Sequence, residues 1–329
     1  MSGAGGPIAD GHADSLMWNR DLTLRQARGQ VDFPRLREAN VRLQCFTVVT
    51  RGYPVVDGLG ALAALRRWPP DARRGPWARC VFQLDRLRSL CDRSGGTVAL
   101  AETSAALDRH LAAGRTAAVL GVEGAQALEG RPERVAELRA RGVRFMSLTH
   151  LSNNELGGSS SPLMRDRPLT PLGRAVLEAM VAARMAVDVA HASPRTLRDL
   201  AAHAGARLLC SHTGVCGAHP SWRNLDDAAL RAVADRGGVI GILFATIYLG
   251  GRDLSDVVRH LEHALDVAGE DAVAFGSDFD GMVPLPRGLR DVTDVPKLVA
   301  ALSRRRPAAV VEKVAFGNWR RFFGETLGG

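Results

Sequence analysis

Lysine is almost absent from this 329-residue chain, although the chain carries a net charge of +8. Only Lys297 and Lys313 are lysines, so arginine, spread along the sequence, supplies nearly all of the positive charge. The densest basic clusters, residues 304–306 and 320–321, are short, and no aromatic residues alternate with them. A nucleic-acid interface concentrates basic residues and adds aromatic rings on which bases stack. The sequence therefore disfavours nucleic acid as a partner, and a non-catalytic polyanion-binding protein is the alternative from another functional class.

Segments that would direct the chain to a membrane or out of the cell are also missing. Residues 1–10 contain no basic stretch followed by an apolar stretch, so we expect no signal peptide. The longest apolar run, residues 239–249, is too short to cross a bilayer. The five cysteines are odd in number and form no C-x-x-C pair, which is typical of buried thiols in a reducing compartment. We expect a cytoplasmic protein without membrane contact.

A short apolar run followed by a helical pattern recurs along the whole chain. The runs are apolar on both faces and often β-branched, as in a parallel sheet covered on both sides. No low-complexity linker divides the chain, and the G-x-G-x-x-G fingerprint of an open dinucleotide-binding sheet is absent after the first run. The pattern predicts an α/β protein, a (β/α)8 TIM barrel formed by residues 1–329 as one domain. Its predicted strands are residues 8–10, 43–49, 117–122, 144–149, 186–190, 207–210, 239–244 and 272–276.

Helices are predicted between these strands, and three of them begin with a recognisable cap. Thr170 and Ser193 each precede a proline, and Ser255 precedes an aspartate. The long interval of residues 51–116 contains two proline-rich turns and should hold more than one helix. Outside this interval, the predicted helices, including the three with caps, are residues 131–141, 171–183, 194–204, 226–236 and 255–268.

Side chains that bind metals or transfer protons collect where the predicted strands end. The carboxyl ends of TIM-barrel strands face one side of the barrel, where active sites form. A single histidine there is more often structural, but ligand-type residues at several strand ends together predict a metal site. They are His12 and Asp14 after the first strand, Glu123 after the third, His150, His191 and His212 after the fourth to sixth, and Asp278 after the eighth.

The spacing of these residues predicts a binuclear metal centre. His12 and Asp14 lie two residues apart on an extended segment, so both side chains point the same way and can bind one ion. His191 and His212 come from consecutive strands and would hold a second ion, with Glu123 as the bridge between the two. Imidazole and carboxylate ligands suit Zn²⁺ or a similar ion. Two such ions, about 3.5–4 Å apart, can hold a shared hydroxide and polarise a substrate carbonyl.

Other candidate groups receive a structural interpretation. His260 and His263 lie on an amphipathic stretch, so we interpret them as part of a solvated helix face. Cys210 and His212 could form a nucleophile pair, but a buried structural thiol is favoured. The G-x-S-x-G pattern of serine hydrolases does not occur around any strand end.

The strand-end motifs resemble the membrane (renal) dipeptidase family of zinc peptidases, family M19, within the metal-dependent amidohydrolases. The similarity extends in order over nearly the whole chain. Asp-Phe-Asp-Gly after the last strand, combined with the His-x-Asp start, is specific to this family. The segments that carry the resemblance are residues 10–14, 121–124, 147–150, 188–191, 211–212, 223–227, 276–281 and 318–323.

The resemblance implies a metallo-dipeptidase of the membrane dipeptidase type with two zinc ions per chain. His12 and Asp14 would bind one zinc, His191 and His212 the other, and Glu123 both. The expected reaction is hydrolysis of a dipeptide, including one with a D-residue at the carboxyl side, by attack of a metal-bridging hydroxide. A homodimer is implied as well.

The resemblance also assigns three residues to the substrate. His150 would contact the substrate carbonyl and stabilise the oxyanion, and Arg223 would pair with the terminal carboxylate. Asp278 would move a proton from the water to the leaving amine. Hydrolysis of N-acyl amino acids or lactones on the same metals is the alternative within hydrolases. Animal members carry a lipid-anchor signal, whereas residues 325–329 show no apolar tail, so membrane attachment is not expected.

Overall fold

The apolar runs form nine parallel strands in residues 5–50 and 58–328, the ranges that the computed structural model describes. Eight strands are neighbours in the order β1-β2-β4-β5-β6-β7-β8-β9, and β3, which was not predicted, pairs with β4 outside this path. The strands are β1 (Ile8–Asp10), β2 (Val41–Val49), β3 (Val98–Leu100), β4 (Thr116–Glu123), β5 (Val143–Ser147), β6 (Ala186–Asp188), β7 (Leu208–Thr213), β8 (Ile240–Ile242) and β9 (Val273–Phe275).

The first and last of these strands meet and nearly close the barrel. The backbone N–H of Gly11 donates to the Phe275 carbonyl at 2.9 Å, and that of Asp14 donates to the Phe279 carbonyl at 2.8 Å. The predicted TIM barrel is therefore confirmed. The predicted strand ends shift by a few residues, so that His212 lies within β7, whereas His150 and His191 follow their strands by three residues.

Helices connect the strands and cover the outside of the barrel. Two stretches on which predictions were made lie outside the described residues. They are residues 51–57, part of the predicted helical interval, and residues 1–4, part of the segment in which no signal peptide was expected. The rest of that interval contains α2, α3 and α4, so more than one helix is confirmed. The helices are α1 (Phe33–Glu38), α2 (Gly58–Leu65), α3 (Pro76–Asp92), α4 (Ser104–Ala112), α5 (Arg134–Ala140), α6 (Pro171–Ala182), α7 (Pro194–Ala202), α8 (Asp227–Ala234), α9 (Thr246–Leu249), α10 (Leu254–Ala268), α11 (Val295–Ser303), α12 (Ala308–Glu312) and α13 (Asn318–Thr326).

Two of the three predicted helix caps are confirmed. The side chains of Thr170 and Ser193 accept hydrogen bonds from backbone N–H groups in the first turns of α6 and α7. The prediction for Ser255 is wrong, because Asp253 occupies the cap of α10. The N–H of Asp253 donates to the Asp256 carboxylate at 2.8 Å, which pairs the helix start with its own first turn.

Large aromatic side chains from α13 fill part of the barrel interior. Trp319 and Phe323 are buried with barrel residues such as Ala9 and Leu209, and the indole N–H of Trp319 donates to the Phe275 carbonyl at 2.8 Å. A Cβ atom at Gly11 would lie 2.3 Å from the Trp319 ring. The strand therefore needs a glycine directly before His12, where the packed interior meets the strand ends.

The described part of the chain also bears on the compartment predictions. Its cysteines are all free, four of them buried and Cys216 half-buried. Among residues 5–50 and 58–328, no helix combines the length and the apolar character that crossing a bilayer requires.

Candidate active site

The strand ends bring the predicted metal-ligating and proton-transferring residues together at one end of the barrel. These residues form three overlapping groups, and within each group the potential ligand atoms all lie within 4.8 Å of one another. All of these side chains are buried except that of His150, which is half-buried. The groups are His12 with Glu123 and His212, Glu123 with His150 and His191, and His12 with Asp14 and Asp278.

The two carboxylate oxygens of Glu123 face different pairs of histidines. Oε1 lies 2.8 Å from Nε2 of His191 and 3.4 Å from Nε2 of His212. Oε2 lies 3.7 Å from Nε2 of His12 and 3.6 Å from Nε2 of His150. One carboxylate thus lies between two groups of imidazole nitrogens, which is the position a bridging ligand needs.

Asp14 extends the group around His12, and a threonine holds both residues. Oδ1 of Asp14 lies 3.4 Å from Nε2 of His12. The Thr47 hydroxyl on β2 donates to Oδ1 of Asp14 at 2.7 Å and lies 3.2 Å from Nε2 of His12. Sequence reasoning missed Thr47, whose only signal is a hydroxyl on a strand that is otherwise largely apolar.

His191 and His212 form the other group. Their Nε2 atoms lie 3.1 Å apart. Burial, followed by the positive charge of Arg223, lowers the pKa of His191 well below its usual value. Burial, followed by the charge of His12, does the same to the pKa of His212. Both rings are therefore neutral imidazoles, the form that binds metal ions.

The charges around His12 favour a cation at the centre of the site. Burial lowers the pKa of His12, but the carboxylates of Glu123 and Asp14 outweigh it and raise that pKa to about 10. Burial, together with Asp14 and Glu123, raises the pKa of Asp278 to about 8. Buried carboxylates crowded in this way are stabilised by a positive charge between them. With four imidazoles and three carboxyl groups brought together, the donor set fits divalent cations such as zinc.

Three residues at this end of the barrel have a strained backbone. His191, Asp278 and Asp280 all have left-handed backbones, with φ of 63°, 62° and 65°. Such conformations are costly for residues other than glycine and tend to occur at functional sites. The turn that carries Asp278 is held by Asp280, whose carboxylate accepts hydrogen bonds from the Ser15 hydroxyl at 2.5 Å and the Gln30 N–H at 2.8 Å. In the Asp-Phe-Asp-Gly motif, the second aspartate therefore anchors the loop that follows β1.

Arg223 lies at the edge of the same site. Its side chain is buried, and Nη2 donates to the His212 carbonyl at 2.8 Å. Nη1 has no hydrogen-bond partner within residues 5–50 and 58–328. A cavity of about 560 Å³ is lined by Arg223, Asp278 and four of the five proposed metal ligands: Asp14, Glu123, His191 and His212. Apolar side chains line it as well, among them Met17, Val49, Leu59, Leu62, Leu151 and Val283.

Three other predictions concern residues outside this cavity. The prediction that His260 lies on a solvated face is wrong, because its ring is fully buried and accepts a hydrogen bond from the Val215 N–H at 2.9 Å. His263 is half-buried and lies 2.7 Å from Oδ1 of Asp227. Cys210 is a buried thiol with its pKa raised by burial, as expected for a structural residue.

The family match follows from the whole sequence. The model of the membrane dipeptidase family, peptidase family M19, matches residues 4–327. The chain belongs to this family. A relative, the uncharacterized protein in the pqqA 5' region of Klebsiella pneumoniae, is 33% identical over 252 residues, which cover 73% of this chain and 93% of the relative.

Solved structures of metallopeptidases share the fold. A metallopeptidase from Rhodobacter sphaeroides, liganded with a phosphinate mimic of the dipeptide L-Ala-D-Ala, has a TM-score of 0.85 at 24% identity, with 97% of this chain and 99% of that chain covered. The dipeptidase AC, an M19 metallopeptidase, has a TM-score of 0.83 at 23% identity, with 98% and 99% covered. Membership of this metallo-dipeptidase family supports metal-dependent hydrolysis of dipeptides in general and a small-molecule substrate.

Proposed function

We propose that this M19 protein is a zinc dipeptidase in which five residues hold two zinc ions. His12 and Asp14 would bind one ion, and His191 and His212 the other, with Glu123 shared by both. The observation that carries the proposal is the position of Glu123, whose two oxygens face separate groups of imidazole nitrogens. Divalent cations held here would supply the activation of water as a nucleophile and the polarisation of the scissile carbonyl.

His150 and Asp278 would complete the reaction beside these ligands. The imidazole of His150 points its Nε2 towards Glu123 across 3.6 Å, so a carbonyl placed at the cavity centre would lie beside it. We assign it a hydrogen bond to the carbonyl oxygen, where negative charge develops. The Asp278 carboxyl group lies with His12 and Asp14. We assign it the transfer of a proton from the attacking water to the leaving amine.

Arg223 would fix the carboxyl end of the substrate. Arg223 is 2% exposed, and its Nη1 has no hydrogen-bond partner in the described residues. A buried donor of this kind is satisfied by a planar carboxylate, to which a guanidinium group donates parallel hydrogen bonds. Because Arg223 borders the same cavity as the metal-type ligands, a carboxylate bound there lies close to the reacting bond. A terminal carboxylate so close to the scissile bond is typical of a dipeptide and not of a longer peptide.

A second cavity next to Arg223 bears on the residue at the carboxyl side. It measures about 410 Å³ and shares Arg223 and His191 with the metal cavity. Its wall includes Leu197, Ala201 and Ala229. We propose that it gives room to the carboxyl-side side chain and that a D-residue is accepted there. The similarity to the metallopeptidase liganded with a mimic of L-Ala-D-Ala supports this proposal.

A substrate panel tests the dipeptidase proposal. Zinc-reconstituted protein should hydrolyse L-Ala-L-Ala and L-Ala-D-Ala, and it should act more slowly on N-acetyl-alanine and on a homoserine lactone. Cleavage of the lactone or the N-acyl amino acid alone would overturn the dipeptidase assignment in favour of the alternative hydrolases. A single domain over residues 1–329, a homodimer, a cytoplasmic location and the absence of nucleic-acid binding stay predictions.

A further inference from the structure

One serine hydroxyl lies between the outer ring nitrogens of two proposed metal ligands. Oγ of Ser211 lies 3.0 Å from Nδ1 of His12 and 3.0 Å from Nδ1 of His212. Ser211 is fully buried on β7, directly before His212. A single oxygen atom therefore contacts one ligand of each proposed zinc ion.

The same hydroxyl is hydrogen-bonded to a buried carboxylate. Burial raises the pKa of the Asp188 carboxyl group, and the Ser211 side chain, as a hydrogen-bond donor, acts against this rise. Oδ1 of Asp188 also accepts hydrogen bonds from the N–H groups of Ser211 at 3.0 Å and Ala190 at 2.9 Å. These two backbone N–H groups stabilise the ionised form of Asp188. An ionised carboxylate only accepts hydrogen bonds, so the Ser211 hydroxyl donates its one hydrogen to Asp188.

This assignment leaves only one role for the two imidazoles. A serine hydroxyl offers one donor and two acceptor positions. With its hydrogen directed at Asp188, the Ser211 oxygen accepts, and Nδ1 of both His12 and His212 must carry a hydrogen. In the neutral ring of His212, Nε2 is then free of hydrogen and lies 3.4 Å from Glu123. His12, whose pKa the neighbouring carboxylates raise to about 10, also carries a hydrogen on Nε2, 3.7 Å from Glu123, and would give up that hydrogen when a cation binds. A metal-binding histidine usually donates its other ring N–H in this way, which fixes the tautomer and the ring orientation.

We propose that Ser211 and Asp188 form a shared positioning pair that fixes the Nδ1–H state of His12 and His212 and so prepares both metal sites together. The inference rests on the metal centre of the proposed function. Ser211 acts only through the two rings. Loss of the Ser211 hydroxyl should therefore weaken the binding of both ions. If each histidine had its own hydrogen-bond partner, the loss of one partner would weaken the binding of one ion only.

Three variants separate this role from a general structural one. Ser211→Ala removes the hydroxyl. Asp188→Asn keeps the shape, and because backbone N–H groups hold the amide oxygen, its NH2 would face Ser211 and force the hydroxyl to donate to one histidine. Ser277→Ala is the matched control, because Ser277 is equally buried and donates to Asp10 at 2.7 Å but contacts no imidazole nitrogen.

The first readout is the protonation of the ring nitrogens, measured by ¹⁵N NMR on metal-free protein with labelled histidine. Wild type and Ser277→Ala should show a protonated Nδ1 on both His12 and His212, and Asp188→Asn should lose it on His212, the neutral ring of the two. An unprotonated Nδ1 on either ring of the wild type would overturn the inference. This readout needs no metal and no substrate, so it decides the inference even if the dipeptidase assignment fails.

The second readout is zinc affinity, measured by competition with a chromophoric chelator. Ser211→Ala should bind both zinc equivalents about 10–100-fold more weakly, the usual effect of losing an outer partner of a metal ligand. Ser277→Ala should bind them as the wild type does. Equal affinity in Ser211→Ala and Ser277→Ala, or weakening of only one equivalent, would contradict the shared role.

Discussion

Nε2 of His191 lies 2.8 Å from Oε1 of Glu123 at the centre of the site. His191, three residues past the end of β6, thereby contacts the last residue of β4, although β5 lies between these two strands in the barrel. The other oxygen of Glu123 faces His12 and His150. The functional account depends on this division, since a carboxylate with imidazoles on both sides can serve two cations at once.

Replacing Asp278 by asparagine should stop the reaction without disturbing the site. Asparagine tolerates the left-handed backbone of this position, where φ is 62°, and it keeps the shape of the side chain. Because the amide cannot transfer the proton, we expect kcat to fall about 10²–10⁴-fold. The fall in kcat is measured from initial rates of L-Ala-D-Ala hydrolysis.

The zinc content and thermal midpoint of Asp278→Asn provide the control. Burial already raises the pKa of this carboxyl group to about 8, so a neutral amide should not destabilise the metal-free fold. Wild-type kcat in this variant would remove Asp278 from the proton-transfer role.

Replacing Arg223 by lysine should weaken recognition of the substrate carboxylate. Lysine keeps the charge but loses the paired donors of the guanidinium group. We expect kcat/KM for dipeptides to fall by an amount equivalent to about 2–5 kcal/mol, mainly through KM. A dipeptide amide, which has no terminal carboxylate, should be a poor substrate for both proteins and should be cleaved by both at similar rates. An equal loss on the dipeptide and on its amide would show that Arg223 does not bind the carboxylate.

The barrel and the composition of the site were predictable because they depend on local patterns. Two-sided apolar runs mark buried parallel strands, and a TIM barrel places the residues after them at one end. The predictions from sequence pattern failed where contacts between distant parts of the chain determine the structure. Strand β3 is short and largely half-exposed, and His260 is buried because the Val215 N–H needs its acceptor. No role was predicted for Thr47 or Ser211, since a hydroxyl group on a strand does not by itself indicate a function.

The burial of His260 should make the fold sensitive to acid. Its ring accepts from Val215 and lies 3.2 Å from the Leu249 carbonyl, and burial lowers its pKa from 6.5 to about 4. Between these values the unfolded chain binds a proton that the folded chain does not, so stability falls as the pH falls. The full effect is at most about 3 kcal/mol. Urea unfolding at pH 7 and pH 4.5 should show a smaller loss in His260→Gln than in the wild type, and equal losses would refute this assignment.

The approach of α13 to the strand ends should be sensitive to one methyl group. A Cβ at Gly11 would lie 2.3 Å from the buried Trp319 ring. Overpacking of this kind typically costs about 1–3 kcal/mol, so Gly11→Ala should lower the free energy of unfolding by that amount. Gly324 in α13 is the matched control, because no atom lies within 4 Å of a Cβ there and alanine favours the helix. Gly324→Ala should be neutral or stabilising, and equal stabilities of the two variants would contradict the packing argument.

Titration of the metal-free protein with zinc tests the central claim most directly. Zinc bound per chain and the rate of L-Ala-D-Ala hydrolysis should be followed together, in the wild type and in Glu123→Gln. We predict that activity rises with zinc and reaches its plateau at two equivalents, and that Glu123→Gln retains fewer than two. Dipeptide hydrolysis that persists in fully chelated protein, or a wild type that binds no zinc, would contradict the account.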